Sequence, residues 1–319
     1  MIARDPGALF ALAREGSRTA LARLLTYVES GGERLRECVA IAYATPVPYV
    51  VGITGPPGSG KSTLTDQLIT ALLVEGPGVR DDLEQVGVLC VDPSSPFTGG
   101  AILGDRVRMQ DHATDSRVFI RSMATRGHLG GLSLAVPDAL RVLGASGFHD
   151  VLVETVGVGQ MEVDIASAAD TTVVVTNPGW GDSMQANKAG LLEVADLFVI
   201  NKADRPGVRE TRRDLEQMLD LGGERAWRPL IVETTATSGE GVVALCEALE
   251  AHRSYLENGP RDQARRARTR VELDQVIALT LRSRAATLAR GERYEEQIEA
   301  LMSGTTDPYR AAERLLSEG

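Results

Sequence analysis

The chain has 319 residues, 43% of them hydrophobic, and 34 Lys and Arg against 44 Asp and Glu give a net charge of −10. An acidic balance argues against general phosphate-backbone binding, and 4% aromatics supply no stacking platform for single-stranded nucleic acid. No run of about 18 apolar residues marks a membrane span. Three scattered cysteines without a CxxC pair and a charged MIARDPG start point to a soluble cytoplasmic protein, with neither nucleic acid nor membrane as partner.

Residues 1–46 carry a helical pattern. Leu9, Leu12, Ala13, Leu21, Leu24, Leu25 and Val28 recur at three- and four-residue spacings until Gly31 and Gly32 stop them. A further helix from Glu33 to Tyr43 ends ahead of Pro46 and Pro48. This stretch holds no set of catalytic residue types, so it is expected to be a helical cap or a partner-binding element.

Residues 47–258 change character. Short β-rich runs at 48–54, 85–92, 117–122, 150–155, 171–176, 197–202 and 229–234 alternate with helical stretches. Apolar strands separated by amphipathic helices predict an α/β domain with a mostly parallel sheet, and ligands at the C-terminal strand ends.

The first of these ends opens GPPGSGKST, a full GxxxxGK[ST] match between a strand and a helix. Such a P-loop, here with Gly55, Pro57, Gly58, Ser59 and Gly60, wraps around phosphates, and its non-proline residues supply the backbone N–H groups. Lys61 adds positive charge at the β- and γ-phosphates, Ser62 a hydroxyl for Mg²⁺, and Thr63 continues into the helix whose N-terminus favours anions. The loop therefore predicts a nucleoside triphosphate site.

Beyond the second strand, VDPSSPFTGGAILGDRVRM holds Asp92, well placed for Mg²⁺ or its water, and Asp105, which either orients water and metal or simply begins a helix. In RSMATRGHLGGLS, Arg126 and His128 lack the further ligands a metal site needs. The fourth strand ends in ETVG, where Glu154 suits the Mg²⁺ shell and the Gly157 N–H the γ-phosphate. The next position, which in Ras-like proteins carries a water-orienting glutamine, is Val158, so intrinsic hydrolysis is expected to be slow. After the fifth strand, NPGWGDSMQANKAG offers Gln185 and Lys188, the latter equally readable from spacing as a surface lysine.

The sixth strand ends in NKAD. The Asp204 carboxylate matches the N1–H and exocyclic amine of guanine, a donor pair that adenine lacks. Asn201 is expected to tie this loop to the phosphate loop, the Lys202 stem to cover the base or ribose, and Thr235, Ala236 and Thr237 to supply N–H groups for the guanine oxygen. GTP and GDP, with Mg²⁺, are the implied ligands. Residues 259–319 return to helix after Asn258-Gly259-Pro260. Leu273, Ile277, Leu281, Ala285 and Leu288 form a stripe that a dimer arm would bury.

GPPGSGKST, VDPSSPFTGGAILGDRVRM, RSMATRGHLGGLS, ETVGVGQ, NPGWGDSMQANKAGLLEVADL and NKAD, in this order, resemble the MeaB/MMAA family of P-loop GTPases, some of whose members carry an older ArgK label. The resemblance implies a G domain at 47–258, a helical N-terminal segment and a helical C-terminal dimerisation arm. It implies a GTPase chaperone that gates adenosylcobalamin loading and protects an adenosylcobalamin-dependent acyl-CoA mutase, chiefly methylmalonyl-CoA mutase, from inactivation. It also implies a homodimer, Asp92, Asp105 and Glu154 near Mg²⁺, and functional roles for Gln185 and Lys188. No DxHxxG motif is present, so direct cobalamin binding is not expected. A metallochaperone GTPase for nickel or cobalt enzymes is the alternative; it calls for Cys/His clusters that the sequence lacks.

Overall fold

The structure, a computed structural model, describes residues 5–73, 84–92, 112, 114–124, 135–155, 165, 167–179, 193–223 and 225–317. It forms two compact units, Met1–Ala264 and Arg265–Gly319.

In the first unit, seven strands make one sheet: β1 (Tyr49–Thr54), β2 (Val86–Asp92), β3 (Val118–Ala124), β4 (Asp150–Thr155), β5 (Thr171–Thr176), β6 (Leu197–Asn201) and β7 (Leu230–Thr234). Their order is β3-β2-β4-β1-β5-β6-β7 and every pairing is parallel. β1 lies between β4 and β5, so the chain order reverses there and a crevice opens beyond the strand C-termini.

Alternation along the strands assigns the two faces. Val50, Val151 and Val153 point into one core, filled by α1 (Pro6–Arg14), α2 (Arg18–Ser30), α3 (Gly32–Ala42) and α5 (Ala135–Ala145). Tyr49, Val51, Ile53 and Leu152 point into the other, under α4 (Lys61–Leu72) and α7 (Val242–Glu257). α6 (Val208–Leu221) adds Leu215 and Leu219 against Phe198 and Ile200.

The N-terminal helices are thus part of this core. Leu9, Phe10, Leu24 and Leu25 are fully buried, each contributing about 1.5–3 kcal/mol. Asp5 and Ser17 cap α1 and α2 by accepting from Ala8 N and Ala20 N. Arg14 Nε donates to Ala145 O at 2.8 Å, Arg18 Nη2 to Val118 O at 2.6 Å, and Arg121 pairs with Glu29. Burial pushes the Cys38 and Cys246 thiols up to about 11, so both act as small apolar side chains.

At the opposite end of the sheet from the crevice, two aspartates extend the ladders. Asp170 N donates to Val50 O while Asp170 Oδ2 accepts from Val50 N; Asp196 repeats the pattern with Thr172. His252 of α7 packs here, its Nδ1 2.8 Å from Thr171 Oγ1 and its Nε2 3.4 Å from Asp196 Oδ1, beside Trp227 and Tyr255. Tyr49 bonds the same threonine, and Arg253 pairs with Asp150 at 2.6 Å. Burial pushes His252 down to about 4, with Asp170 pulling weakly the other way. The unfolded chain therefore takes up the proton first, and stability falls as pH drops from about 6.5 towards 4. A loss of roughly 2–3 kcal/mol by pH 4.5 is expected, and chemical denaturation of His252→Gln against the parent across that range checks it. An unchanged acid limb in the variant would remove His252 from the account.

The second unit contains the rest of α8 (Pro260–Leu288), then α9 (Glu292–Met302) and α10 (Pro308–Ser317). No residue of α8 is buried, and Leu273 and Leu281 are each 57% exposed. Among the described residues, no helix is long and apolar enough to cross a membrane.

Candidate nucleotide site

β1 delivers the chain into residues 55–60, and α4 starts at Lys61. Two of the loop's glycines stand where neighbours leave no room. A Cβ on Gly55 would lie 2.0 Å from Val175 O, and one on Gly60 would lie 2.3 Å from Asn201 Nδ2. Both glycines also have positive φ, +136° and +91°. Lys61 Nζ donates to Gly55 O at 2.8 Å and Pro56 O at 3.0 Å, which lays this buried residue's side chain across the loop. Ser59 is buried, whereas Pro57, Gly58 and Thr63 are exposed.

Ser62 Oγ donates to Glu154 Oε1 at 2.6 Å, joining the first turn of α4 to the end of β4. Both groups are buried hard-oxygen donors, and they fit Mg²⁺ in ligand type. Beside them Thr155 Oγ1 donates to Thr54 Oγ1 at 3.1 Å. Asp92 closes β2, in register with Ala124; its side chain lies outside the described residues. Asp105, Gly157, Val158, Gln185 and Lys188 also lie outside them.

On the base side, one side chain connects three loops. Asn201 Nδ2 donates to Ser59 O at 2.8 Å, while Asn201 Oδ1 accepts from Thr234 Oγ1 at 3.2 Å and Ala236 N at 3.1 Å. Lys202 holds φ +60°, the sole described non-glycine residue with positive φ, and its Nζ reaches Gly58 O at 2.6 Å. That turn presents Asp204 exposed at the loop surface, with Ala203 N anchored on Thr234 O at 3.0 Å. In the following turn Thr235 N donates to Glu240 O and Ala236 N to Asn201, both within the protein. Thr237 N has no protein acceptor among the described residues.

The structure therefore brings together Gly55, Gly58, Ser59, Gly60, Lys61, Ser62, Glu154, Asn201, Lys202 and Ala236. Sequence reasoning did not single out Thr234 as a partner of Asn201. The only available signal was its place between the last strand and the turn.

The family model described as "Methylmalonyl Co-A mutase-associated GTPase MeaB" matches residues 21–289. A putative GTPase of Pyrococcus abyssi is 49% identical over 312 residues, covering 96% of this chain and 94% of that protein. The mitochondrial methylmalonic aciduria type A homolog of Mus musculus is 32% identical, with 95% and 76% covered. Among solved structures, a LAO/AO transport system kinase superposes with a TM-score of 0.70 at 26% identity, covering 99% of this chain and 98% of that one. These matches span both recognition loops, and the chain belongs to the MeaB family of P-loop GTPases.

Proposed function

We propose that this GTPase is a chaperone of an adenosylcobalamin-dependent acyl-CoA mutase, with methylmalonyl-CoA mutase as client. In this role its GTP-bound form gates cofactor loading and protects the client from inactivation. The observation that carries the nucleotide part is the Asn201 side chain, which joins the phosphate loop, the NKAD loop and the 235–237 turn. The family description, mutase-associated, supports the client.

GTP lies with its phosphates in the 55–60 loop against Lys61, and its guanine on Asp204. Thr235 and Ala236 spend their N–H groups inside the protein, which leaves the guanine oxygen to Thr237. Ser62 and Glu154, with Asp92 and Asp105, are the residues to hold Mg²⁺, which supplies charge neutralisation at the β- and γ-oxygens. A water oxygen bonds to the γ-phosphorus, the bond from that phosphorus to the β–γ bridging oxygen breaks, and GDP and phosphate leave. Val158 cannot orient the water, so Gln185 and Lys188 are assigned that help and turnover without the client is slow. A second copy covers the exposed Leu273, Ile277 and Leu281 stripe in a homodimer, and cobalamin contact stays with the mutase. Coupling requires GTP and GDP forms to differ in mutase affinity, because a partner that binds both equally shifts neither.

Steady-state hydrolysis of GTP and ATP with and without purified methylmalonyl-CoA mutase tests this. GTP-selective turnover that rises with the mutase is expected. Lys188→Ala should keep GTP binding and lose the stimulation. Parent turnover that ignores the mutase would overturn the client assignment; intact stimulation in the variant would overturn the role of Lys188.

A further inference from the structure

β1 and β4 run side by side towards the phosphate loop. Their backbone ladder extends from Tyr49↔Asp150 to Ile53↔Glu154 and stops there. On its other side β4 stays paired one residue further, at Val91↔Thr155. Beyond the β1–β4 ladder the next two residues are joined by side chains, since Thr155 Oγ1 donates to Thr54 Oγ1 at 3.1 Å. Both residues are buried, and neither side chain has another polar partner among the described residues. Alternation places the pair on the face of Val50, Val151 and Val153. Valines of the same shape fill that face, so packing does not account for the two hydroxyls. What the hydroxyls join is functional. Thr54 directly precedes Gly55 and the phosphate loop. Thr155 directly follows Glu154, whose side chain leaves the opposite face of β4 and accepts from Ser62 Oγ at 2.6 Å.

We propose that Thr155 is a positioning residue for Mg²⁺ binding. Its bond to Thr54 extends the β1–β4 connection by one rung beyond the backbone ladder. That rung holds the end of β4, and with it Glu154, in place against the strand that delivers the phosphate loop and Ser62. The inference rests on the reading that Ser62 and Glu154 hold Mg²⁺. This ion demands near-ideal octahedral geometry, so slack between ligands from two different elements weakens its binding. Without the rung, β4 is tied to β1 only as far as Glu154 itself. The carboxylate then gains freedom that must be lost again when the metal binds.

The test titrates Mg²⁺ into the full chain with a fluorescent, non-hydrolysable GTP analogue, and also reads analogue affinity in EDTA and the melting temperature. Thr155→Val should raise the half-saturating Mg²⁺ concentration about three- to tenfold while affinity in EDTA stays within about twofold, and Thr155→Ser should restore it. The Thr54→Val/Thr155→Val double variant leaves neither hydroxyl orphaned. Its melting temperature should lie near the parent's while the raised Mg²⁺ requirement remains. A parent Mg²⁺ requirement in Thr155→Val overturns the proposal, and so does an affinity loss in EDTA as large as that in Mg²⁺. A raised requirement that the double variant abolishes also overturns it, because the cause is then an orphaned hydroxyl and not lost positioning. Should Thr155→Val fail to fold, the double variant decides alone: a raised requirement supports the proposal and a parent one overturns it. Glu154→Gln separates the two readings. A parent Mg²⁺ requirement there overturns Glu154 as a metal holder and the positioning with it. A raised requirement there, beside parent values in Thr155→Val, overturns the positioning alone.

Discussion

Replacing Lys61 by alanine is expected to lower kcat/KM for GTP by about 10²–10⁴-fold, since charge-assisted hydrogen bonds are worth roughly 1.5–3 kcal/mol each and at least two phosphate contacts are lost. The Lys61 side chain is buried and its ammonium donates to Gly55 O and Pro56 O, so backbone carbonyls help set its position over the loop. The alanine variant also leaves those two carbonyls without their donor, which loosens the loop itself. Fluorescent-nucleotide titration and phosphate release measure binding and turnover separately. Parent kinetics in Lys61→Ala would refute the phosphate assignment.

Asp204→Asn should move base preference from guanine towards xanthine. Guanine presents two donors to the carboxylate, whereas xanthine presents a carbonyl that an amide N–H satisfies. Two charge-assisted bonds imply about 10²–10⁴-fold in GTP affinity; the exposed position of Asp204 admits competing water and favours the lower end. The loop itself should survive the change, because it is held by Asn201, by Lys202 Nζ on Gly58 O and by Ala203 N on Thr234 O, none of which uses Asp204. Competition between GTP and XTP for the two proteins reads the switch. Unchanged GTP affinity in Asp204→Asn would sink the base-reading argument.

What was legible in the sequence is what depends on short spacings. The runs at 150–155 and 171–176 coincide with β4 and β5, and the other five strands fall within two residues of the sequence reading at each end. Continuous β-branched and apolar residues between turn formers leave few competing local structures. The phosphate loop and NKAD were legible for a different reason. Their chemistry is carried by consecutive residues whose backbone and side chains meet one ligand, so the pattern survives without the rest of the fold.

Tertiary structure decided everything that needs a partner far along the chain. The strand order follows from which crossovers pack, and no local pattern states that β1 lies between β4 and β5. The leucines of residues 1–46 announced helices, but their destination on the β1–β2–β3–β4 side of the sheet emerges only when Arg18 reaches Val118 O and Glu29 reaches Arg121. Thr211 looked like an unremarked residue in an amphipathic helix until Gly179 was brought to it from 32 residues upstream. The physical reason is the range of the interactions involved. Propensity, capping and turn chemistry act over a few residues and are written locally, whereas burial and side-chain hydrogen bonding select partners by shape and polarity across the whole domain.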